Sequence, residues 1–597
     1  MYKRDYFVDK STGTAADVLA AYGLAAVLDE ILAQALGREE RRRVWIQDAG
    51  PYYLISLDPP LQAEWVEHCA YFTGPATYIV RRDESPPPNV QTYVRVRNVD
   101  EAWEQWQTYR AISEQLRGSN AVSKELRRQV EDAKLPPDWY LVTLLGTTQM
   151  QALKTYNQAV TQWALTREYF TFNLKTILQM TAEPGVDLRA VSRAWWNEVS
   201  KTFKGEEKIK CELTAIQLLN PHQGKGQNRP KANALAMENI SSFWLWEFVK
   251  ATGLWLCTAP RVVREAQEGR LPRQRKIYVL APHRITLATH RKVFDCFSER
   301  LWNDTAVKMD CLAALLYTDT LLEYSEAGQY DELDFEAYGP EKVIAGFHVT
   351  QYTLLNPQAY TVTNLAFLGL PAWTGEIPRN ARDLVRNLRE VIREHREVIS
   401  GVDEGRSDGY NLLLRYRNFL SGRSWEDFFA FAAGYSHYAM RRMAQGQWVA
   451  LFTTDGLRRL IMATNKPLAA IIENPGFKNV AYAIRHSTII PQGRKARGQD
   501  ALYEIRYGLG MELKRKATVR DDFVAALTGF MQSYNQENSQ ILEKSGRQLR
   551  RDLRTTDIED VIRLVDEYGS EVVANLLVAY GYAREPREEA EPAEQNK

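Results

Sequence analysis

From Gly409 to about residue 583, apolar side chains recur at three- and four-residue spacing with almost no alternating stretch, and only an array of packed helices buries such a pattern. Local signals agree. Thr518 and Asp521 form a capping-box-like pair ahead of Phe523, Leu527, Phe530, Met531 and Tyr534, and Thr556 and Glu559 form another ahead of Val561, Ile562 and Val565. Gly569 and Gly581 stand where glycines stop helices. Upstream the pattern is mixed. Val18, Leu19, Tyr22, Leu24, Leu28, Ile31 and Leu32 predict a helix over Ala15–Leu36, while Val44–Gln47, Tyr52–Leu57 and Thr77–Arg81 read as short strands. Ser85–Asn89 is a proline-stiffened loop, Asp100–Leu116 is helical, and Pro136-Pro137 marks a break before a largely helical stretch from Trp139 to about Ser200. Lys276–Leu280 and Ile344–Leu355 are strands, and Ala381–Ile399 is a strongly amphipathic helix. The acidic, glycine-bearing segment Gly401–Gly409 is the expected domain boundary. The fold class is therefore α+β: a large mixed N-terminal domain over 1–400, an all-α C-terminal helical bundle over 401–583, and a Glu- and Pro-rich disordered tail over 584–597.

A chain of 597 residues exceeds one hydrophobic core, in keeping with that division. Its formal net charge is only +1, so any nucleic-acid surface must be local or shared with partners. The five cysteines include no C-x-x-C pair, which fits a reducing compartment and argues against a disulfide framework or a structural zinc. The first residues lack an apolar signal region and no stretch is long enough to cross a bilayer, so a cytoplasmic protein without membrane association is expected.

Asn220–Asn233 is the most unusual segment. It sets Lys225, Arg229 and Lys231 among glycines and amides; Gly224 and Gly226 allow close backbone approach, the cations suit phosphates, and Gln227 and Asn228 suit base edges or sugars. It is not a P-loop. Its two readings are a nucleic-acid contact loop and a solvated polar loop. A run of Arg261, Arg264, Arg270, Arg273, Arg275 and Lys276, interrupted by Glu265 and Glu268, reads as a charged surface helix leading into a strand. A third basic region holds Arg494, Lys495, Arg497 and Arg506, then Lys514, Arg515, Lys516 and Arg520; it suits a phosphate backbone and also an ordinary solvated helix face. The histidines form no metal-spaced set, and His283 and His290 read as structural. Asp331, Glu332, Asp334 and Glu336 read as an exposed turn rather than a metal site, and no nucleophile elbow occurs. The residues thus call for no cofactor, no metal and no catalytic group.

Several segments together carry a resemblance. Tyr6–Asp17 with its following Gly/Ala-rich helix, Gln217–Lys231 with its N-P-x-x-G-K-G run, Ala306–Thr318, and Ile505–Ala517 with Phe523 and Tyr534–Asn538 behind it resemble the large subunits of type I CRISPR surveillance complexes (the A/B-like branch, Myxococcus-type subgroup). The resemblance runs from about residue 6 to residue 583. It implies a non-enzymatic subunit of a Cascade ribonucleoprotein in antiviral defense. Such a subunit binds the 5′ handle of a guide RNA, reads the protospacer-adjacent motif in double-stranded target DNA, and supports R-loop formation, while guide pairing reads the sequence. Its helical domain handles the displaced single strand. Implied partners are the backbone, handle-binding and small subunits, and a recruited helicase–nuclease or transposition machinery. An internal start at Met440 or Met443, yielding a separate small subunit, is also a family feature to consider. The candidate nucleic-acid-binding residues are Lys225, Gln227, Asn228, Arg229 and Lys231, followed by Arg494, Lys495, Arg497, Lys514, Arg515, Lys516 and Arg520. Two other classes stay open: a divergent nucleic-acid-processing enzyme such as a nuclease, which needs a metal-binding carboxylate cluster, and a purely structural scaffold subunit.

Overall fold

The computed structural model describes residues 2–38, 42–81, 84–118, 138–147, 150–203, 208–223, 241–265, 273–326, 337–356, 359–378, 381–422, 424–464, 466–499 and 502–586. The chain folds into two units, one mixed and one helical, and the class is α+β.

The mixed unit is built from residues 1–304 and 341–368. Its centre is α1 (Ala15–Leu36), buried on nearly every side. Thr14 starts it by accepting the Ala16 N–H, and Asp17 accepts the N–H groups of Thr12 and Gly13, closing the entry turn. Gly37, at φ 95°, ends it. Against α1 lies an antiparallel sheet of β1 (Asp5–Asp9), β2 (Arg43–Asp48), β3 (Tyr52–Asp58) and β6 (Arg284–Thr286), in the order β1-β3-β2-β6. The register sets Val8 opposite Tyr53 and Ile46 opposite Ile55, so one face of each strand is buried. A second antiparallel sheet contains β4 (Thr258–Val262), β5 (Gln274–Pro282), β7 (Ile344–Asn356) and β8 (Ala359–Gly369), in the order β8-β7-β5-β4. From Arg275 to Pro282, β5 is buried on both faces; α1 packs against it, and Phe297 of α3 (Leu287–Arg300) packs on Phe347 of the neighbouring β7.

The crossing of α1 with α2 (Trp244–Cys257) depends on two glycines. A Cβ on Gly253 would lie 1.8 Å from the Leu19 carbonyl oxygen, and one on Gly23 would lie 1.9 Å from the Val249 carbonyl oxygen. Both obstacles are backbone, so no rotamer change relieves them.

The helical unit gathers 305–328 with the chain from 369 onward, so it is larger than the segment after 401 that the sequence sets apart. The reason lies in two helices that precede the boundary. The apolar face of α5 (Arg382–Ser400) packs on α4 (Ala306–Glu326), and Asp319 of α4, nearly fully buried, pairs with Arg389 at 3.0 Å and Arg396 at 3.3 Å. The acidic boundary segment is itself structural. Glu404 accepts hydrogen bonds from the Val307 and Lys308 N–H groups at 2.9 Å each, capping α4 from a distance. Around α5 an aromatic core assembles from Trp373, Tyr416 and Phe419 of α6 (Ser407–Ser421), Phe428 and Phe431 of α7 (Trp425–Ala444), and Phe452. The rest includes two helices over Thr454–Thr464 and Lys466–Glu473, and then α8 (Pro475–Ser487), α9 (Ile489–Ala496), α10 (Leu509–Lys516), α11 (Arg520–Ser545), α12 (Thr555–Tyr568) and α13 (Ser570–Gly581).

Several local signals resolve differently from expectation. Thr518 does not cap α11: its hydroxyl donates to the Arg515 carbonyl and so finishes α10. α12 starts at Thr555, and Asp557, not Glu559, reaches back to the Arg554 N–H at 2.9 Å. Gly569 does end a helix, at φ 89°, but Gly581 sits where a Cβ would strike Ile484 at 2.4 Å, so it serves close packing.

This architecture bears on an internal start. Met440 is buried within α7, which packs on α9, α10 and α13. A chain beginning at Met440 or Met443 lacks α4 to α6 and all but the last turn of α7. We expect a 443–597 fragment, purified alone, to show no cooperative thermal transition by circular dichroism; a sharp transition would mean that those helices are dispensable.

Candidate nucleic-acid interface

Lys225, Gln227, Asn228, Arg229 and Lys231 lie outside the described residues, as do Asp331, Glu332, Asp334 and Glu336. The root of the 220–233 segment is well defined. Asn220 is buried and donates through Nδ2 to Glu247 at 2.9 Å and to the Ile216 carbonyl at 3.3 Å. Lys250, also buried, pairs with Glu247 and donates to Asn220 Oδ1. Three residues before Asn220, the Gln217 carbonyl accepts from Tyr352 Oη at 3.1 Å and its Oε1 accepts from the Val362 N–H at 3.3 Å. Residues Gln217 and Asn220 are thus hydrogen-bonded to α2 and to the β7–β8 hairpin.

Of the basic run expected as a surface helix leading into a strand, the two ends are paired strands, with Arg261 opposite Lys276 and Val262 opposite Arg275, while Arg270 and Glu268 lie outside the described residues. Arg261, Arg275 and Lys276 are all buried. Arg261 stacks over Tyr140 at 3.8 Å and donates to the carbonyls of Leu301 and Ser298, which satisfies it without a carboxylate. Arg275 lies over Tyr360 at 5.2 Å, and its Nε and Nη2 have no hydrogen-bond partner among the described residues. The two histidines flanking this region differ in setting. His290 is fully buried, accepts through Nδ1 from Tyr22 Oη at 3.1 Å and donates through Nε2 to the Leu256 carbonyl at 3.0 Å; burial holds its pKa down at about 4. The His283 backbone joins the two sheets, accepting from Asp48 N–H.

The remaining candidates fall in two places on the helical unit. Arg494 and Lys495 end α9, with Arg497 just beyond; all three are exposed and none has a carboxylate partner among the described residues. Lys514, Arg515 and Lys516 form the last turn of α10, and Arg520 begins α11. There the charges are largely committed. Lys516 pairs with Asp522 at 3.2 Å, and Arg520 pairs with Asp566 at 2.7 Å and Asp521 at 2.9 Å. Lys514 is half-buried, and burial followed by the nearby Arg415 lowers its pKa. Arg515 alone of this group is exposed without an ion pair among the described residues.

Around Arg494 the fold assembles neighbours that sequence reasoning missed. Tyr482 and His486 of α8 are one turn apart, their rings 3.9 Å centre to centre. The Arg551 guanidinium lies over Tyr482 at 4.0 Å. Arg550 is buried between Tyr503 at 3.7 Å and Tyr534 at 4.1 Å, and donates to Glu537 at 2.5 Å and to the His486 carbonyl at 3.1 Å. Arg506 lies 3.8 Å from the same Glu537, and Arg485 is paired with Glu585 at 2.7 Å. Among the described residues, the ion pairs of Arg485, Arg494, Arg506, Arg550 and Arg551 are thus with Glu537 and Glu585 alone. The one signal in the sequence is the arginine run Arg547, Arg550, Arg551 and Arg554, which reads as an ordinary charged turn.

No family model matches the chain, and no curated protein matches it. Among the described residues, no group of three or more His, Cys, Asp or Glu side chains is placed to hold a metal ion, and no helix is long and apolar enough to cross a membrane.

Proposed function

We propose that the chain is the non-catalytic large subunit of a type I CRISPR Cascade complex, acting in the cytoplasm. One observation carries the reading: Arg494, Lys495, Arg497 and Arg551 stand exposed without carboxylate partners among the described residues, and Arg551 lies over the Tyr482 ring, on a protein of net charge +1. Local unpaired cations interleaved with rings suit a single strand of nucleic acid. The order of motifs that resembles the family supports the same role. In this reading the helical unit guides the displaced strand. The segment rooted at Asn220, with Lys225, Gln227, Asn228, Arg229 and Lys231, contacts the guide handle or the flanking motif. Lys516 and Arg520 contribute less, because their ion pairs would have to break first.

Two measurements test this. Tagged chain co-expressed with its neighbouring genes should bring down guide RNA of uniform length with a repeat-derived 5′ handle; recovery free of RNA beside well-expressed neighbours would sink the assignment. Alanine at Arg494, Lys495, Arg497 and Arg551 together should weaken single-strand binding and flatten the slope of log K against log salt by about 3, whereas alanine at Lys516 and Arg520 should leave both nearly unchanged. The reverse ranking would place the interface on α10.

A further inference from the structure

Resting on the nucleic-acid reading above, the geometry around α8 allows a finer assignment. Tyr482 carries two groups at close range, the His486 ring at 3.9 Å and the Arg551 guanidinium at 4.0 Å. Arg551 is exposed, but its backbone is anchored, since its carbonyl accepts from Tyr534 Oη at 3.0 Å. A guanidinium laid flat on a ring keeps its N–H edge free for the forked bonding that phosphate oxygens accept. Neither ring nitrogen of His486 has a hydrogen-bond partner among the described residues.

The charged and titratable groups around His486 are few and of one dominant sign. They are Tyr482 and Arg485 from α8 itself, Arg494 from α9, Tyr503 from the bend after it, and Arg550 and Arg551 from the turn before α12. Arg485 and Arg550 are neutralised by Glu585 and Glu537; Arg494 and Arg551 are not neutralised by any described carboxylate. The half-buried imidazole therefore sits in an uncompensated positive field at the end of a helix, where the backbone dipole would otherwise favour its protonation.

We propose that Arg551 and His486, the two groups gathered on Tyr482, form a seat for one phosphodiester group of a single-stranded nucleic acid, and that His486 takes up a proton as the seat fills. An anion there replaces the field that now opposes the imidazolium and gives its N–H a partner. In the free protein His486 is held down at about 4, by burial first and then by Arg485, Arg550, Arg494 and Arg551. Returning it to its ordinary range on binding makes affinity rise as pH falls through the 6.5 region, while the phosphodiester itself does not titrate there.

The test uses the full chain and a single strand of about 15 thymidines, with folding checked by circular dichroism at each pH. Wild type should bind about fourfold more tightly near pH 6 than near pH 7.5. His486→Gln should match wild type at the higher pH and lose that gain, and Arg551→Ala should bind more weakly and also lose it. A pH response that persists in His486→Gln overturns the proton-linked seat but leaves the interface standing. If Arg494→Ala and Arg551→Ala bind like wild type at both pH values, or if wild type binds no strand at all, both the seat and the interface reading fall.

Discussion

Valine in place of Gly253 is expected to destabilise the mixed unit by about 3 kcal/mol or more and to lower soluble yield sharply. The new Cβ would overlap the Leu19 carbonyl oxygen at 1.8 Å, so α1 and α2 must separate along their whole crossing, opening a gap where both are fully buried. Gly253→Ala should fall between the two, because alanine recovers about 1 kcal/mol of intrinsic helix propensity against the same overlap. Denaturant unfolding of the three proteins gives the ranking. A valine variant as stable as wild type would show that the helices are not in backbone contact. The consequence reaches the interface, since α2 carries Glu247 and Lys250, which hold Asn220 at the root of the 220–233 segment.

Acid should weaken the helical unit through His395. This residue is fully enclosed by Trp373, Tyr416, Phe428 and Phe452, with its Nδ1 2.7 Å from Tyr416 Oη and no partner for Nε2 among the described residues. Burial lowers its pKa to about 3. A histidine depressed in the folded state binds its proton more readily when unfolded. Stability therefore starts to fall as pH drops through the unfolded value near 6.5, and the loss stops growing only at the folded value near 3. Between pH 7 and pH 5 the cost is about 2 kcal/mol from this residue. His395→Phe should begin less stable at neutral pH, because Tyr416 loses its partner, yet decline more slowly with acid. Thermal unfolding across that range checks the slope; parallel wild-type and variant lines would remove His395 as the cause.

Elements whose identity rests on long local pattern were legible in the sequence. Ala15–Leu36 forms as read, and so, within a residue or two, do the strands at Val44, Tyr52, Lys276 and Ile344 and the helix at Ala381. What failed depended on tertiary partners. Arg261, Arg275 and Lys276 look like surface charge until a sheet buries them against Tyr140 and Tyr360. Gly401–Gly409 looks like a linker until Glu404 is seen to cap α4, almost a hundred residues earlier. The candidate site divides the same way. Arg494, Lys495 and Arg497 were visible as a basic run, but Tyr482, His486 and Arg551 come from separate segments, and no local spacing announces their meeting.

The discontinuity of the helical unit also sets a timetable for synthesis. α4 is buried along most of its 21 residues by helices that come later in the chain, chiefly α5 and α6. A ribosome adding 5 to 20 residues per second needs roughly 5–20 s to travel from the end of α4 to the end of α6. Throughout that interval the β7–β8 hairpin is completing the other unit, while an apolar helix waits with no surface to cover it. Newly made chain is therefore most exposed to aggregation, and most in need of chaperone protection, at this one stage of translation.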